Sequence, residues 1–492
     1  MKLYLVGHDY RYAAEQMLLM LFPQERPEYP DAPEGGDRVE LKLSRGAKRY
    51  TAVCRLYREG QCWQGRAAVD CAAITDDLTR DRHLQRILKL AFYRAGVACL
   101  GKKPVWGALT GVKPGKLMAR YLQAGMSHRA AVSAFCRDYD VSPDRARLCL
   151  DTTRVRMEAA ASLAPEDVCL YVGIPFCPTR CAYCSFVSAS VEKSMKLIPP
   201  FLAALKLDVS ATARAVARAG LRVVSVYMGG GTPTTLSAAE LDVLLTQLET
   251  EFDLSHMREF TVEAGRPDTI TPEKLRVLRA HRVDRVSVNP QTMDDAVLEA
   301  IGRRHTAADI LTALDMVRSC GGFAVNMDLI AGLPGDSPAG FSRTLDQVLA
   351  LAPENITVHT LALKRGSRIT LEDTPLPTPE AVGEMLDEAC TRLTAGGWAP
   401  YYLYRQKFMS GGFENVGWAR PGTENLYNIC IMEELCSILA MGGGASTKLV
   451  RAGYVQRLTA PKYPQEYAAN IDKTVADKQQ ISEFYAQSGD EA

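Results

Sequence analysis

Cys177, Cys181 and Cys184 form a Cys-x-x-x-Cys-x-x-Cys run inside YVGIPFCPTRCAYCSF, residues 171–186, directly after a short apolar stretch. Three thiolates this close can each take one iron of a cubane four-iron, four-sulfur cluster, and the loop between them is long enough to wrap one face. The fourth iron then lacks a cysteine, so it can take a small molecule. Structural zinc wants four ligands, usually as two separated pairs, and neither a fourth cysteine nor a histidine lies close in sequence. The nearest thiol, Cys169, sits in the apolar run V-C-L-Y-V, where alternation points it away from the loop. There it reads as a small buried hydrophobe. A disulfide pair plus a stray thiol would need an oxidising compartment, and nothing marks one.

Other residues with chemical potential fall at regular intervals downstream. YMGGGTPT places Gly229, Gly230 and Gly231 before Thr232 and Pro233. Removing three Cβ atoms in a row allows backbone amides to approach a ligand closely, although a plain tight turn uses the same composition. Glu263 closes the run TVE, Gln291 follows RVSVNP, and Asp328 is embedded in NMDLIAGLPGD. A single glutamate is more often a solvated rim charge. An acid within an apolar strand is costly unless it is paired, hydrogen-bonded or near a cation.

The elements that must position these residues are legible from residue 165 onward. Short β-branched runs at Val168 to Ile174, Arg222 to Met228, Glu259 to Glu263, Arg285 to Asn289, Ala324 to Ala331 and Asn355 to Leu361 alternate with segments of helical period, such as SAAELDVLLTQLE and AADILTALDMVRSC. That alternation predicts βα units around a parallel sheet. Six units make an incomplete barrel whose sites collect at the C-terminal ends of the strands. The expected fold class is therefore α/β: an incomplete (β/α)6 barrel over 161–395, an α/β N-terminal accessory domain over 1–160, and a small C-terminal capping or substrate-side region over 396–492.

Composition bounds the function classes. The 492 residues are 47% hydrophobic and 23% charged, the balance of a globular protein, and the length suggests about three units. A formal net charge of +1 argues against nucleic-acid or membrane-surface binding. MKLYLVGHDYRYAAEQ breaks its apolar run at His8 and Asp9, so neither a signal peptide nor a membrane span is expected. Fourteen cysteines without a regular framework fit a reducing, cytoplasmic setting.

Taken together, residues 168 to about 365 resemble the radical S-adenosylmethionine (SAM) enzymes of the oxygen-independent coproporphyrinogen III dehydrogenase (oxidase) family. That family's pattern runs YxHIPFCxxxCxYCxF, GGGTP, E-x-x-P, a V-Q step and DLI-x-GLP. Its counterparts here are Tyr171 to Phe186, Gly229 to Pro233, Glu263 to Arg266 followed by Pro267, Asn289 to Gln291 and Asp328 to Pro334. The resemblance implies a four-iron, four-sulfur cluster on Cys177, Cys181 and Cys184. It implies SAM held by Tyr171, Gly229, Gly230, Gly231, Thr232, Glu263, Gln291, Arg303 and Asp328. Arg303 would lie in the helix after Gln291, with Arg304 as the neighbouring alternative and a solvated helix face as the plainer reading of either. It implies no particular catalytic side chain.

Two departures stand out: Gly173 replaces the histidine of the family pattern, and Ser185 follows Cys184 where dehydrogenases often carry a further cysteine. The C-x-F ending is shared with relatives proposed to handle haem. WGALTGVKPGKL, residues 106–117, and the tail YYLYRQK with ENVGWARPG look most like the Z-type branch of the family. The first reads equally as a basic loop for propionates or as a structural turn. The tail's Tyr401, Tyr402, Tyr404 and Arg405 could flank a flat macrocycle, although aromatics at this density more often form core.

The activity implied is oxidative decarboxylation of coproporphyrinogen III to protoporphyrinogen IX, with an electron donor such as flavodoxin or ferredoxin as partner. The alternatives are another radical SAM reaction on haem or porphyrin, by methylation or ring opening, and a haem-trafficking role.

Overall fold

The computed structural model describes residues 1–30, 35–111, 113–184, 189–190, 194–362, 367–372, 374–406, 410–451 and 454–486. Ser185 and Phe186, the end of the cysteine motif, and Lys407 of the tail lie outside the described residues. The chain divides into two compact units, Met1–Leu150 and Asp151–Ala492.

In the first unit β1 (Lys2–Val6) pairs parallel with β2 (Arg38–Arg45), and β2, β3 (Arg49–Arg58) and β4 (Gln61–Asp70) run antiparallel in sequence order. Alternation in RVELKLSR turns Val39 and Leu41 inward, where they join Cys54, Leu56 and Val69. Helix Asp77–Leu100 covers that face with Ile87, Leu88, Ala91 and Phe92. It starts at Asp76, whose carboxylate accepts from the Thr79 amide, and stops at Gly101 in the left-handed region, φ 66°.

The second unit is built on one sheet. β5 (Asp167–Ile174) leads into a two-residue strand, β6 (Phe176–Cys177), paired with β7 (Ala189–Ser190). β8 (Arg222–Gly230), β9 (Glu259–Glu263), β10 (Arg285–Ser287), β11 (Ala324–Ala331) and β12 (Asn355–Thr360) follow β5 in spatial order, every neighbour parallel. These are the six expected strands. Most of the helices between them start at side-chain caps, at Ser237, Thr271, Asp294, Thr306 and Ser337, with proline in the first turn at Pro272 and Pro338, and the helix after β12, Pro379–Ala395, is capped by Thr378.

The expected separate region after residue 396 instead extends this sheet at both ends. β13 (Ala399–Tyr404) and β14 (Asn415–Ala419) add antiparallel beyond β12. β15 (Ser437–Gly442) adds parallel to β5, followed by the antiparallel hairpin of β16 (Ser446–Arg451) and β17 (Tyr454–Thr459). The result is an open sheet of eleven strands. Unpaired edges on β5 and β12 would expose rows of amides and carbonyls, and the C-terminal strands satisfy them.

A buried polar network ties the C-terminal helices to the barrel. Asp208, on helix Ile198–Arg218, accepts from the Tyr467 hydroxyl at 2.7 Å and the Gly442 amide at 3.1 Å, and pairs with Lys478 at 3.0 Å. Among the described residues no helix is long and apolar enough to cross a membrane.

Candidate cluster and cofactor site

The strands alternate along their length in a way that fixes the site's character. Phe260, Val262, Met327 and Leu329 turn to one face and are buried. Ser225, Tyr227, Glu259, Thr261, Glu263, Asn326, Asp328 and Thr357 share the other face, which their mutual bonds show: Ser225 to Glu259, Tyr227 to Glu263, Asn326 to Asp328 and Thr357 to Asn326. Period two thus separates an apolar face from a polar one. Helix Leu426–Glu433 begins at the polar face, where the Leu426 and Tyr427 amides donate to Glu259 at 2.9 and 2.7 Å. Tyr427 stacks on Tyr227 at 4.4 Å and on Tyr171 at 6.1 Å between ring centroids.

At the C-terminal ends of the strands, the loop after β5 carries the three cysteines. It is pinned by the Ala182 amide on the Ile301 carbonyl (2.9 Å) and by the Cys184 amide on Cys181 (3.1 Å). The Thr232 hydroxyl donates to the Cys177 sulfur at 3.6 Å, and Arg266 donates to that of Cys181 at 3.5 Å. Burial opposes ionisation of Cys181, but Arg303 and Arg266 outweigh it and hold its thiol below the ordinary value. A thiolate beside two guanidinium groups is ready to ligate metal.

The glycine run packs directly against this loop. A side chain at Gly231 would strike the carbonyl of Phe176, and one at Gly229 would come within 2.8 Å of the Glu263 carboxyl. Gly230 adopts φ +101°, beside the Tyr171 hydroxyl. The run is therefore a close backbone approach, not only a turn. Glu263 accepts from Tyr227 at 2.6 Å, and burial, with Asp328 adding, pushes its carboxyl up to about 7 against that bond. Asp328 is half-buried, yet hydrogen bonding and charge from His359, with Asn326 behind them, hold its carboxyl below the ordinary value against desolvation. His359 lies 3.9 Å away and Asn326 donates at 2.8 Å.

Gln291 lies just beyond the short β10, bridging to Leu329, with a left-handed backbone at φ 69°. Such a torsion in a residue other than glycine marks a locally over-determined position. Arg303 and Arg304 separate clearly: Arg303 is buried and Arg304 exposed. Contrary to the expected helical position, Arg303 lies in a loop, because helix Asp295–Ala300 ends before Gly302, whose φ of +74° turns the chain. From this loop Arg303 donates to the Asn289 carbonyl at 2.6 Å and the Tyr183 hydroxyl at 3.3 Å.

Several residues here were not singled out from sequence. Arg266 is held by Thr179 at 2.7 Å, and Tyr183, His305 and His359 complete the surroundings. His305 is pushed down to about 3 by burial first and then by Arg303 and Arg266. His359 had one available signal: it continues the alternation of Thr357 in ITVHT.

Two substrate-side expectations are corrected. Tyr401 and Tyr402 are 2% and 5% exposed and pack with Ala419 and Ile429, so they are core and cannot flank a macrocycle. Arg405 is buried and bonded to the Gly412 carbonyl at 2.7 Å. Trp106 in WGALTGVKPGKL is 1% exposed and Leu109 4%, which makes at least that part of the loop structural.

A partial α/β barrel with a three-cysteine loop at the end of its first strand, backed by a glycine run on the second, defines a radical SAM protein. The Radical SAM superfamily model matches residues 171–348. The oxygen-independent coproporphyrinogen-III oxidase-like protein HemZ of Bacillus subtilis is 38% identical over 380 residues, 76% of each chain. The haem chaperone HemW of Haemophilus influenzae is 26% identical over 61% of this chain and 75% of its own. The structure of the coproporphyrinogen III oxidase HemN of Escherichia coli superposes with a TM-score of 0.52 at 25% identity, covering 65% of this chain and 72% of that one. The chain belongs to the HemN/HemZ-like coproporphyrinogen oxidase family, whose cofactors are a four-iron, four-sulfur cluster and SAM.

The residues present fit those groups. Arg266 and Arg303 both act on Cys181, and the buried Nε of Arg303 has no hydrogen-bond partner among the described residues. Two guanidinium groups at a three-cysteine loop suit an anionic group.

Proposed function

We propose that this protein converts coproporphyrinogen III to protoporphyrinogen IX by oxidative decarboxylation of two propionates, working in the cytoplasm with a small redox protein as electron donor. The observation that carries this reading is the convergence of the cysteine loop, the Gly229–Gly231 run, Glu263 and Asp328 on one polar strand-end face, in a chain 38% identical to a coproporphyrinogen-III oxidase-like protein over 76% of both.

In this reading Cys177, Cys181 and Cys184 hold the cluster. Glu263 and Asp328 face the cationic parts of SAM, and Arg303, positioned by Asn289 and Tyr183, faces its carboxylate. Tyr171, Gly229, Gly230, Thr232 and Gln291 shape the pocket. Reductive cleavage of bound SAM at the cluster supplies a 5'-deoxyadenosyl radical. The protein's share is to hold a propionate C–H next to the radical carbon and to exclude water. Each event would pass one hydrogen atom to that radical and one further electron to an external one-electron acceptor, release carbon dioxide and leave a vinyl group.

The haem chaperone relatives favour a second reading, in which the substrate side receives haem. Anaerobic incubation of the reconstituted protein with SAM, reductant and coproporphyrinogen III, followed by mass spectrometry, separates them. The first reading expects 5'-deoxyadenosine together with loss of two carbon dioxide units. Stoichiometric haem binding with no vinyl product would replace it with the second.

A further inference from the structure

The structure brings together three cysteines that the cofactor site does not use. Cys169 lies on β5, Cys430 in helix Leu426–Glu433, and Cys436 immediately before β15. Their sulfurs all lie within 4.8 Å of one another, the one such group among the described residues, and those of Cys169 and Cys436 are 3.7 Å apart. All three are buried, at 0%, 0% and 7% exposure.

That separation is too long for a disulfide bond, about 2.05 Å. It matches a single ion instead: metal–sulfur bonds of about 2.3 Å at tetrahedral or trigonal angles set two thiolates roughly 3.8–4.0 Å apart. A cubane holds its thiolates on different irons and therefore wider apart. Cys177, Cys181 and Cys184 do not form so tight a group, and this trio does. The two sites are also separate along the strand. Cys169 precedes Gly173, at the cluster end of β5, by four residues, roughly 13 Å of extended chain.

We propose that Cys169, Cys430 and Cys436 bind one copper(I) ion through three sulfurs. Soft thiolates select copper(I), zinc or iron–sulfur clusters. Zinc in a structural site takes a fourth ligand, and no fourth histidine, cysteine or carboxylate among the described residues completes this group. Glu259, which acts electrostatically on Cys430, has both oxygens engaged by the Ser225 hydroxyl and the Leu426 and Tyr427 amides. Asp167, which acts on Cys436, is engaged by Arg222 and the Ala164 amide, and Val224 and Ile438 pack against the three cysteines. Coordination by three thiolates releases the thiol protons, so copper affinity falls as pH falls.

The proposal does not depend on the tetrapyrrole reading. It is tested on the full-length, iron-loaded protein under anaerobic conditions, titrated with copper(I) against a chromophoric copper(I) chelator that strips single surface thiols such as the exposed Cys62. One copper per chain should survive the chelator with iron content unchanged. Cys430→Ser and Cys436→Ser should each weaken that copper at least about tenfold while keeping iron, since losing a ligand costs no less than losing an outer-shell partner. Copper X-ray absorption of the wild type, which needs no variant, should show three sulfur neighbours near 2.3 Å. No retained copper, retention indifferent to both substitutions, or zinc(II) retained on these cysteines in place of copper(I) would each overturn it.

Discussion

Arg266 donates to the sulfur of Cys181 across 3.5 Å while its other terminal nitrogen is held by Thr179 at 2.7 Å. The guanidinium is thereby aimed at the cluster loop and not at solvent. Hydrogen bonds to ligand sulfur and nearby positive charge stabilise the reduced cluster. Arg266→Gln is expected to retain iron while lowering the cluster's reduction potential by roughly 50–100 mV, the scale of one charge-assisted hydrogen bond. A redox titration followed by electron paramagnetic resonance reads this. An unchanged potential would make Arg266 a packing residue.

Alanine at Cys177, Cys181 or Cys184 should each remove most of the iron and the broad visible absorption of the reconstituted protein. Cys169→Ala should leave both intact, because that thiol lies well down β5. Iron retained at wild-type level in any of the first three variants would break the assignment.

Glu263 gives a pH signature. Its carboxyl is pushed up to about 7 by burial, from an ordinary 4.5. A raised acid stabilises the fold fully below its unfolded value and loses that contribution as pH climbs through about 7. Binding runs the opposite way if the carboxylate faces a cation. SAM affinity should then fall as pH drops below about 7, approaching tenfold per unit, and Glu263→Gln should bind weakly with a flat profile in that range. Calorimetry across pH checks this. A wild-type profile matching that of Glu263→Gln would return Glu263 to a structural role. Asp328→Ala should likewise lose SAM affinity and keep iron.

The six strands Val168 to Thr360 were legible because each is a local run bounded by turn residues, and the cysteine, glycine and acidic positions because motif spacing is local too. What stayed hidden is long-range. Ser437 pairs with Val168 and Ala419 with Asn355, and no window of sequence shows that SILAMG or NVGWA will complete an existing edge. The left-handed Gln291 was equally invisible, since glutamine carries no preference for that region. Arg266 and His305 could not be ranked among many charged residues until the fold buried them against one loop. Nothing in the spacing of Cys430 and Cys436 links them to Cys169, more than 250 residues earlier, and only the packing of helix Leu426–Glu433 and β15 against β5 brings the three together.

Asp208 offers a stability test remote from the chemistry. It is fully buried and compensated by Lys478, Tyr467 and the Gly442 amide. Removing one partner of a buried ion pair leaves the other charge uncompensated, at about 3–5 kcal/mol. Asp208→Ala is therefore expected to lower the melting temperature substantially, and Lys478→Met, which leaves Asp208 charged and buried, to do the same. The double substitution should cost less than the sum of the two. Simple additivity in thermal or denaturant unfolding would show that the pair is not coupled.

Arg405 separates a folding role from a substrate role. Its sequence context, YYLYRQK, suggested a propionate partner, but the side chain is 9% exposed and donates from Nε and a terminal nitrogen to the Gly412 carbonyl, with burial pushing its guanidinium down to about 10 and Glu414 nearby opposing that. Glutamate here would bury an unpaired negative charge beside another. Arg405→Glu is expected to destabilise the fold by about 3 kcal/mol or more, roughly 5–10 °C in melting temperature for a unit of this size. It should then depress 5'-deoxyadenosine formation and tetrapyrrole turnover together, in proportion to folded protein. A variant that melts like the wild type, cleaves SAM normally and fails only on the tetrapyrrole would restore Arg405 to the substrate pocket.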